Sequence, residues 1–145
     1  DLINSLVKEF GSQCIVIGID SLKEGDNYFV KQYTGDPTKT QSTRWRTFDW
    51  ALEVQKRGAG EIVLNCMNQD GTRKGYDIDQ LKILSELLTI PIVASGGAGS
   101  AEDFVRVFKE TNMDAALAAS VFHNGVISIA DLKKTLEENN IKVRT

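Results

Sequence analysis

The stretch Pro91-Ile-Val-Ala-Ser-Gly-Gly-Ala-Gly99 constrains the fold more than any other part of the chain. An apolar run passes directly into Ser95, Gly96, Gly97 and Gly99, and a helical pattern begins at Ala101. Continuous apolar runs are the mark of parallel strands buried on both faces. Glycines at the carboxyl end of such a strand allow backbone amides to come close to a ligand. A helix N-terminus just beyond adds unpaired donors and partial positive charge. Strand, Gly-rich turn and helix together predict a phosphate cradle. An ordinary tight turn between strand and helix has the same spelling, so this segment does not stand alone.

The same grammar returns at Asp114-Ala-Ala-Leu-Ala-Ala-Ser-Val-Phe-His123, which reads as a small-residue strand ending at Ser120. In β/α barrels the loops after the last two strands often build the phosphate site. Ser95, Gly96 and Gly97 would form one wall of a pocket, and Ala119 and Ser120 the other.

Periodicity gives four βα repeats along the chain. A helix is expected over 2–10, with Leu2, Ile3, Leu6, Val7 and Phe10 on one face and Gly11 as its stop. Strand, helix and strand follow at 14–19, 47–56 and 61–67, then a polar loop over 68–75. A helix carrying Leu81, Leu84 and Leu88 leads to the strand at 90–94, a helix over 101–109, the strand at 115–121 and a last helix over 129–138. Residues 25–35 alternate between glycines and predict a β-hairpin insertion. This order implies a parallel α/β sheet with right-handed crossovers. It can be an open doubly wound sheet or a (βα)4 half of a TIM-type barrel. Small residues at Ala94, Gly96, Ala115, Ala116, Ala118 and Ala119 suit a crowded barrel interior and favour the half-barrel. The chain is expected to be one domain over 1–145. Its open parallel edges predict closure by self-association or by a first half supplied elsewhere, and a chain that is not monomeric. It opens directly into a helix with no strand before it, as a chain cut from something longer would.

A net charge of −3 gives no push toward nucleic acid. No apolar run is long enough to span a membrane, no signal-peptide pattern is present, and the expected setting is cytoplasmic. Cys14 and Cys66 fall in apolar runs and are expected as buried, reduced thiols on neighbouring strands. With one histidine and no ligand spacing, neither a metal site nor a cofactor is expected.

Polar residues recur where each predicted strand ends: Asp20, then Asn65 with Asp70 in the following loop, then Ser95, then Ser120. In β/α barrels this face carries the active site. Asp20 and Asp70 are therefore candidate acid and base groups, given partial burial or a neighbouring charge. Singly, Asp20 reads equally as a cap and Asp70-Gly71 as a turn pair.

Five ordered segments resemble the cyclase subunit of imidazole glycerol phosphate synthase: Ile17-Gly-Ile-Asp-Ser21, Lys56-Arg-Gly-Ala-Gly-Glu-Ile62, Asn68-Gln-Asp-Gly-Thr-Arg-Lys-Gly-Tyr-Asp77, Ala94-Ser-Gly-Gly-Ala-Gly99 and Ala115-Ala-Leu-Ala-Ala-Ser-Val-Phe-His123. The likeness runs along nearly the whole chain, departs around Gln41 to Arg46, and covers only the carboxyl-terminal half of that family's (βα)8 barrel. It implies a lyase of histidine biosynthesis. Ammonia from a glutaminase partner is added to a ribulosyl aminoimidazole nucleotide, a bond is broken and an imidazole ring closes. By the same resemblance Asp20 is the second-half catalytic aspartate. Asp70, Gly71, Ser95, Gly96, Gly97 and Ser120 form the second-half phosphate site and its surroundings, so Asp70 has a contested role. Asn65 is a substrate contact, and Glu61 belongs to the charged ring at the barrel bottom where ammonia arrives.

The family's other aspartate and other phosphate site lie in the first half, which this chain lacks. The expectation is phosphate binding with little or no turnover. Two alternatives stand beside it: a self-associating phosphate-binding half-barrel without catalysis, and half of a related phosphosugar isomerase. The loop from Asn68 to Asp77 favours the cyclase over the isomerase.

Overall fold

The computed structural model describes residues 2–144. Helix α1 (Leu2–Phe10) leads through a single 3-10 turn (Ser12–Cys14) into β1 (Val16–Glu24). Strands β2 (Asn27–Gln32) and β3 (Gln41–Arg46) follow, then α2 (Thr47–Lys56), β4 (Glu61–Cys66), α3 (Ile78–Leu87), β5 (Ile92–Ser95) and α4 (Ala101–Glu110). The chain closes with β6 (Ala115–Leu117), the short α5 (Ser120–His123) and α6 (Ile129–Glu138). No helix among the described residues is long and apolar enough to cross a membrane.

The sheet order is β3-β2-β1-β4-β5-β6, and the strands β1, β4, β5 and β6 are parallel. A doubly wound sheet reverses its strand order at a switch point. Here the parallel strands advance in one direction only. Right-handed crossovers then put every connecting helix on one face of the sheet. Burial follows that rule. Ile19, Ile62, Leu64, Cys66, Ile92 and Ala94 point toward the helices and are buried, against Val54, Leu81, Leu84, Phe104 and Val107. The other face, bearing Val16, Val63, Val93 and Leu117, has no layer over it, and Val16 and Leu117 are 50% and 45% exposed. The fold is a (βα)4 half of a barrel with an unclosed sheet.

A buried polar knot holds the helix layer to β1. The Ser21 hydroxyl lies 2.7 Å from Thr47 Oγ1 at the start of α2 and accepts a hydrogen bond from Gln80 Nε2 of α3. All three side chains are buried, and no buried side-chain nitrogen or oxygen among the described residues lacks a partner.

Three expectations are corrected. Residues 25–35 give only one strand of the hairpin: β1 runs on to Glu24 and pairs antiparallel with β2, which pairs in turn with β3. The unexpected β3 is QSTRWR, a sequence whose alternation carries arginines rather than apolar residues on its outward face. The last strand stops at Leu117 rather than running through to Val121, because Ser120 begins a helical turn. Cys14 sits in the 3-10 turn and is exposed, whereas Cys66 is buried in β4; both are free thiols.

The loop over 68–75 is seated on the turn after β5 by contact of backbone with backbone. The Gly75 amide donates to the Gly97 carbonyl at 2.8 Å. A Cβ on Gly97 would overlap the Gly75 carbonyl, and one on Gly99 would overlap that of Arg73. Gly97 also has φ +109°, outside the range a side chain tolerates well. The structure assigns these glycines to the docking of one loop on the other.

Two measurements check this description. Gly97→Ala combines the clash with the left-handed φ and is expected to lower stability by about 3 kcal/mol or more in urea unfolding. Gly71→Ala, at φ +74° with open space around it, should cost only about 1–2 kcal/mol. Burial pushes the Cys66 thiol well above its ordinary pKa, with the Asp77 charge adding to the effect. An alkylating reagent at pH 8 should therefore label Cys14 alone in the folded chain, with the second thiol reacting only in denaturant.

Candidate functional site

One row of residues crosses the four parallel strands in register: Asp20 opposite Asn65, Asn65 opposite Ser95, and Ser95 opposite Leu117. Alternation along each strand puts all four on the bare face, near the carboxyl ends. Three of them are joined. Asn65 Nδ2 donates to Asp20 Oδ1 at 2.9 Å, and the Ser95 hydroxyl donates to Asn65 Oδ1 over a longer 3.4 Å. The second carboxylate oxygen of Asp20 accepts from the Thr34 hydroxyl. Both oxygens of Asp20 are thus held, and the carboxylate is oriented before any ligand arrives. Thr34 was not visible in the sequence as a site residue. It lies beyond β2, and only the turn signal Thr34-Gly-Asp-Pro37 marks its surroundings.

Beside this row lies a cavity of about 160 Å³ walled by Asp70, Gly71, Ser95, Gly96, Gly97 and Ser120, with Arg73, Ala98 and residues 117–119 completing it. All six residues expected around a phosphate therefore meet in one place. Its size is below the roughly 300–1,000 Å³ of pockets that enclose a whole drug-sized ligand, and suits a single small group. Asp20 and Asn65 border the cavity through Ser95 without lining it. Asp70 stands in the wall, and no hydrogen bond connects it to Asp20.

The donors in the cavity differ in part from those expected. The N-terminus of α4 is occupied by its own chain: Asp103 Oδ2 accepts from the Gly99 amide at 2.8 Å and the Ser100 amide at 2.9 Å. That reach-back carboxylate is one half of a capping box. The Gly99 and Ser100 amides are therefore taken by the chain's own carboxylate, and no residue of α4 lines the cavity. Donors left over in the wall include the Gly97 and Ala98 amides, the Ser120 hydroxyl and the Arg73 guanidinium, which make no hydrogen bond among the described residues. Tyr76 fastens the far side by donating its hydroxyl to the Leu117 carbonyl at 3.0 Å, its ring set edge-on against Phe104. Burial raises the phenol pKa strongly, and the Asp103 charge adds to it, so Tyr76 stays a neutral donor.

Glu61 is placed at the opposite rim. It begins β4 opposite Val16, four positions before Asn65 and so about 13 Å from it along the strand. A larger cavity of about 500 Å³ lies at the β6 edge in the helix layer, lined mainly by apolar side chains such as Phe104, Phe108, Leu132 and Leu136. It holds none of the strand-end polar residues. Among the described residues no three His, Cys, Asp or Glu side chains gather as a metal site.

The family model for the histidine biosynthesis protein matches residues 1–128. Imidazole glycerol phosphate synthase subunit HisF of Serratia proteamaculans (strain 568) is 54% identical over 145 residues. The subunit of the same name from Shewanella frigidimarina (strain NCIMB 400) is 59% identical, and subunit hisF1 of Vibrio vulnificus (strain YJ016) 56%. Each alignment takes in 99% of this chain and 56% of the relative, so the chain spans about half the length of the curated relatives it matches. With a half-barrel sheet, a row of polar strand ends and a family model covering most of its length, the chain belongs to the histidine biosynthesis protein family.

Proposed function

We propose that this chain is the carboxyl-terminal half of an imidazole glycerol phosphate synthase cyclase barrel and acts when an amino-terminal half completes it. The observation that carries the reading is the chain Asp20, Asn65, Ser95 running into a phosphate-sized cavity on an uncovered sheet face. Three further features support a missing half. On α1, the apolar side chains of Leu2 and Phe10 are 72% and 58% exposed. The edge of β1 is unpaired over Val16–Ile19, since β2 begins pairing only at Asp20. The edge of β6 is unpaired, next to the apolar cavity where another βα unit would pack.

In this reading the cavity takes one phosphate of a ribulosyl aminoimidazole nucleotide, through the free amides of Gly97 and Ala98 and the Ser120 hydroxyl. Asp20, fixed by Thr34 and Asn65, moves protons as ammonia adds and the ring closes. Asp70 acts in the phosphate wall rather than as the partner base. Glu61 marks the ammonia inlet at the far rim, where a glutaminase partner docks. The opposing catalytic group and the second phosphate site come from the amino-terminal half.

The two open edges also favour a second reading, a dimer of this chain that closes its own sheet and binds phosphate without turnover. Light scattering at micromolar concentration separates the two: a monomer removes the dimer reading.

Turnover of the ribulosyl nucleotide with ammonium is expected only when an amino-terminal half is added. Asp20→Asn should then lower kcat by about a hundredfold or more, with the assembled barrel intact. Turnover by the chain alone would overturn the proposal.

A further inference from the structure

We infer that Arg73 is the cation that clamps the ligand's phosphoryl group and makes this cavity selective for a dianion; the inference rests on the phosphate reading above. Asp70 and Arg73 are the charged residues that line the cavity. Without Arg73 the wall would carry a net negative charge from Asp70 and would repel the group it is shaped to hold. The free amides and the Ser120 hydroxyl give direction to bound oxygens, yet they supply no full positive charge.

Arg73 is uncommitted elsewhere in the fold. Arg57 and Arg106 are paired with Glu53 and Glu110, whereas no ion pair or hydrogen bond of the Arg73 guanidinium exists among the described residues. Its backbone is pinned at the rim. Its φ is +56°, a conformation uncommon for a residue with a side chain, and its carbonyl lies against Gly99 with no room for a Cβ between them. Glycine would satisfy that backbone more easily. A strained position of this kind beside a cavity points to a role for the side chain itself. The planar guanidinium fork offers paired N–H donors to two oxygens of one phosphoryl group, a geometry that lysine lacks. Phosphate monoesters gain their second charge near pH 6, so a clamp of this kind favours the doubly charged form.

The test is calorimetric titration of the 145-residue chain with inorganic phosphate at low salt. Arg73→Gln should weaken binding by about tenfold or more, and Arg73→Lys by less, since both variants keep the same backbone strain and only the second keeps the charge. Inorganic phosphate takes its second charge near pH 7, about one unit above a monoester, so parent affinity should rise between about pH 6 and 8.5, and this rise should flatten in Arg73→Gln. Lys74→Gln removes a neighbouring charge outside the cavity wall and should leave affinity within about twofold. Arg73→Gln binding within twofold of the parent would overturn the inference while leaving the cradle standing. Equal losses in Arg73→Gln and Lys74→Gln would also overturn it, by showing a general charge effect. A parent chain that binds no phosphate would overturn the cradle reading, and the clamp with it.

Discussion

The handedness of the strand crossovers governs this molecule. Right-handed connections between parallel strands that advance in one direction leave no choice about where the helices go: they all lie on one face. That single constraint concentrates the apolar core between Ile62, Leu64 and Ile92 on one side and Leu81, Leu84 and Val107 on the other. It also leaves the opposite face without a layer. A sheet face bearing Val16, Val63, Val93 and Leu117 loses the benefit of burying them, roughly 25 cal/mol per Å² of apolar surface, until something covers it. The polar row of Asp20, Asn65 and Ser95 lies on that same face. On the proposed reading, the surface that lacks cover and the surface that carries the chemistry are one surface, so completing the fold and completing the site would be a single event.

The second determinant is the contact of the 68–75 loop with the turn after β5. Glycine is usually read at such turns as room for a ligand. Gly97 and Gly99 instead make room for the carbonyls of Gly75 and Arg73. The cavity wall is therefore built from two backbones in contact, with the Gly75 amide closing the seam. A wall of that kind resists deformation better than one made of side chains. It also explains how Asp70, Gly71 and Arg73, from a polar and glycine-rich loop, come to hold fixed places beside Ser95 and Ser120.

Much of this was legible in the sequence because it rests on local pattern. Helices over 2–10, 47–56 and 129–138 follow from apolar periodicity and their stops, and the strand expected over 90–94, found at Ile92–Ser95, from its apolar run. What was not legible depends on pairing between distant segments. The β3 sequence QSTRWR carries no apolar alternation, because an edge strand needs only one partner and buries little. Cys14 looked interior from its neighbours Ile15, Val16 and Ile17, but the 3-10 turn before β1 leaves it outside the sheet. At the site, the residues at strand ends were found by position. Thr34 and Arg73 were not, since each reaches the row or the cavity through a tertiary approach that no spacing records. The start of α4 follows from its spelling, since Ser100 and Asp103 form a cap three residues apart, but that α4 lies off the cavity depends on tertiary placement.

The antiparallel ribbon after β1 bears on how the bare face can be completed. An incoming parallel strand needs a free row of backbone groups. Strand β2 occupies that row from Asp20 to Glu24, leaving only Val16 to Ile19. The ribbon thus blocks the carboxyl-terminal part of the edge and confines a new strand to the part near Glu61. A shift of one residue would turn every side chain of the new strand to the other face, so its register is set by which of its residues must face the buried side. It also protects the end where Asp20 sits, because Thr34, which holds the carboxylate, is carried by that ribbon's own loop. On the proposed reading, the catalytic carboxylate is oriented by this chain alone, and what the missing half contributes is enclosure and the opposing groups rather than the alignment of Asp20.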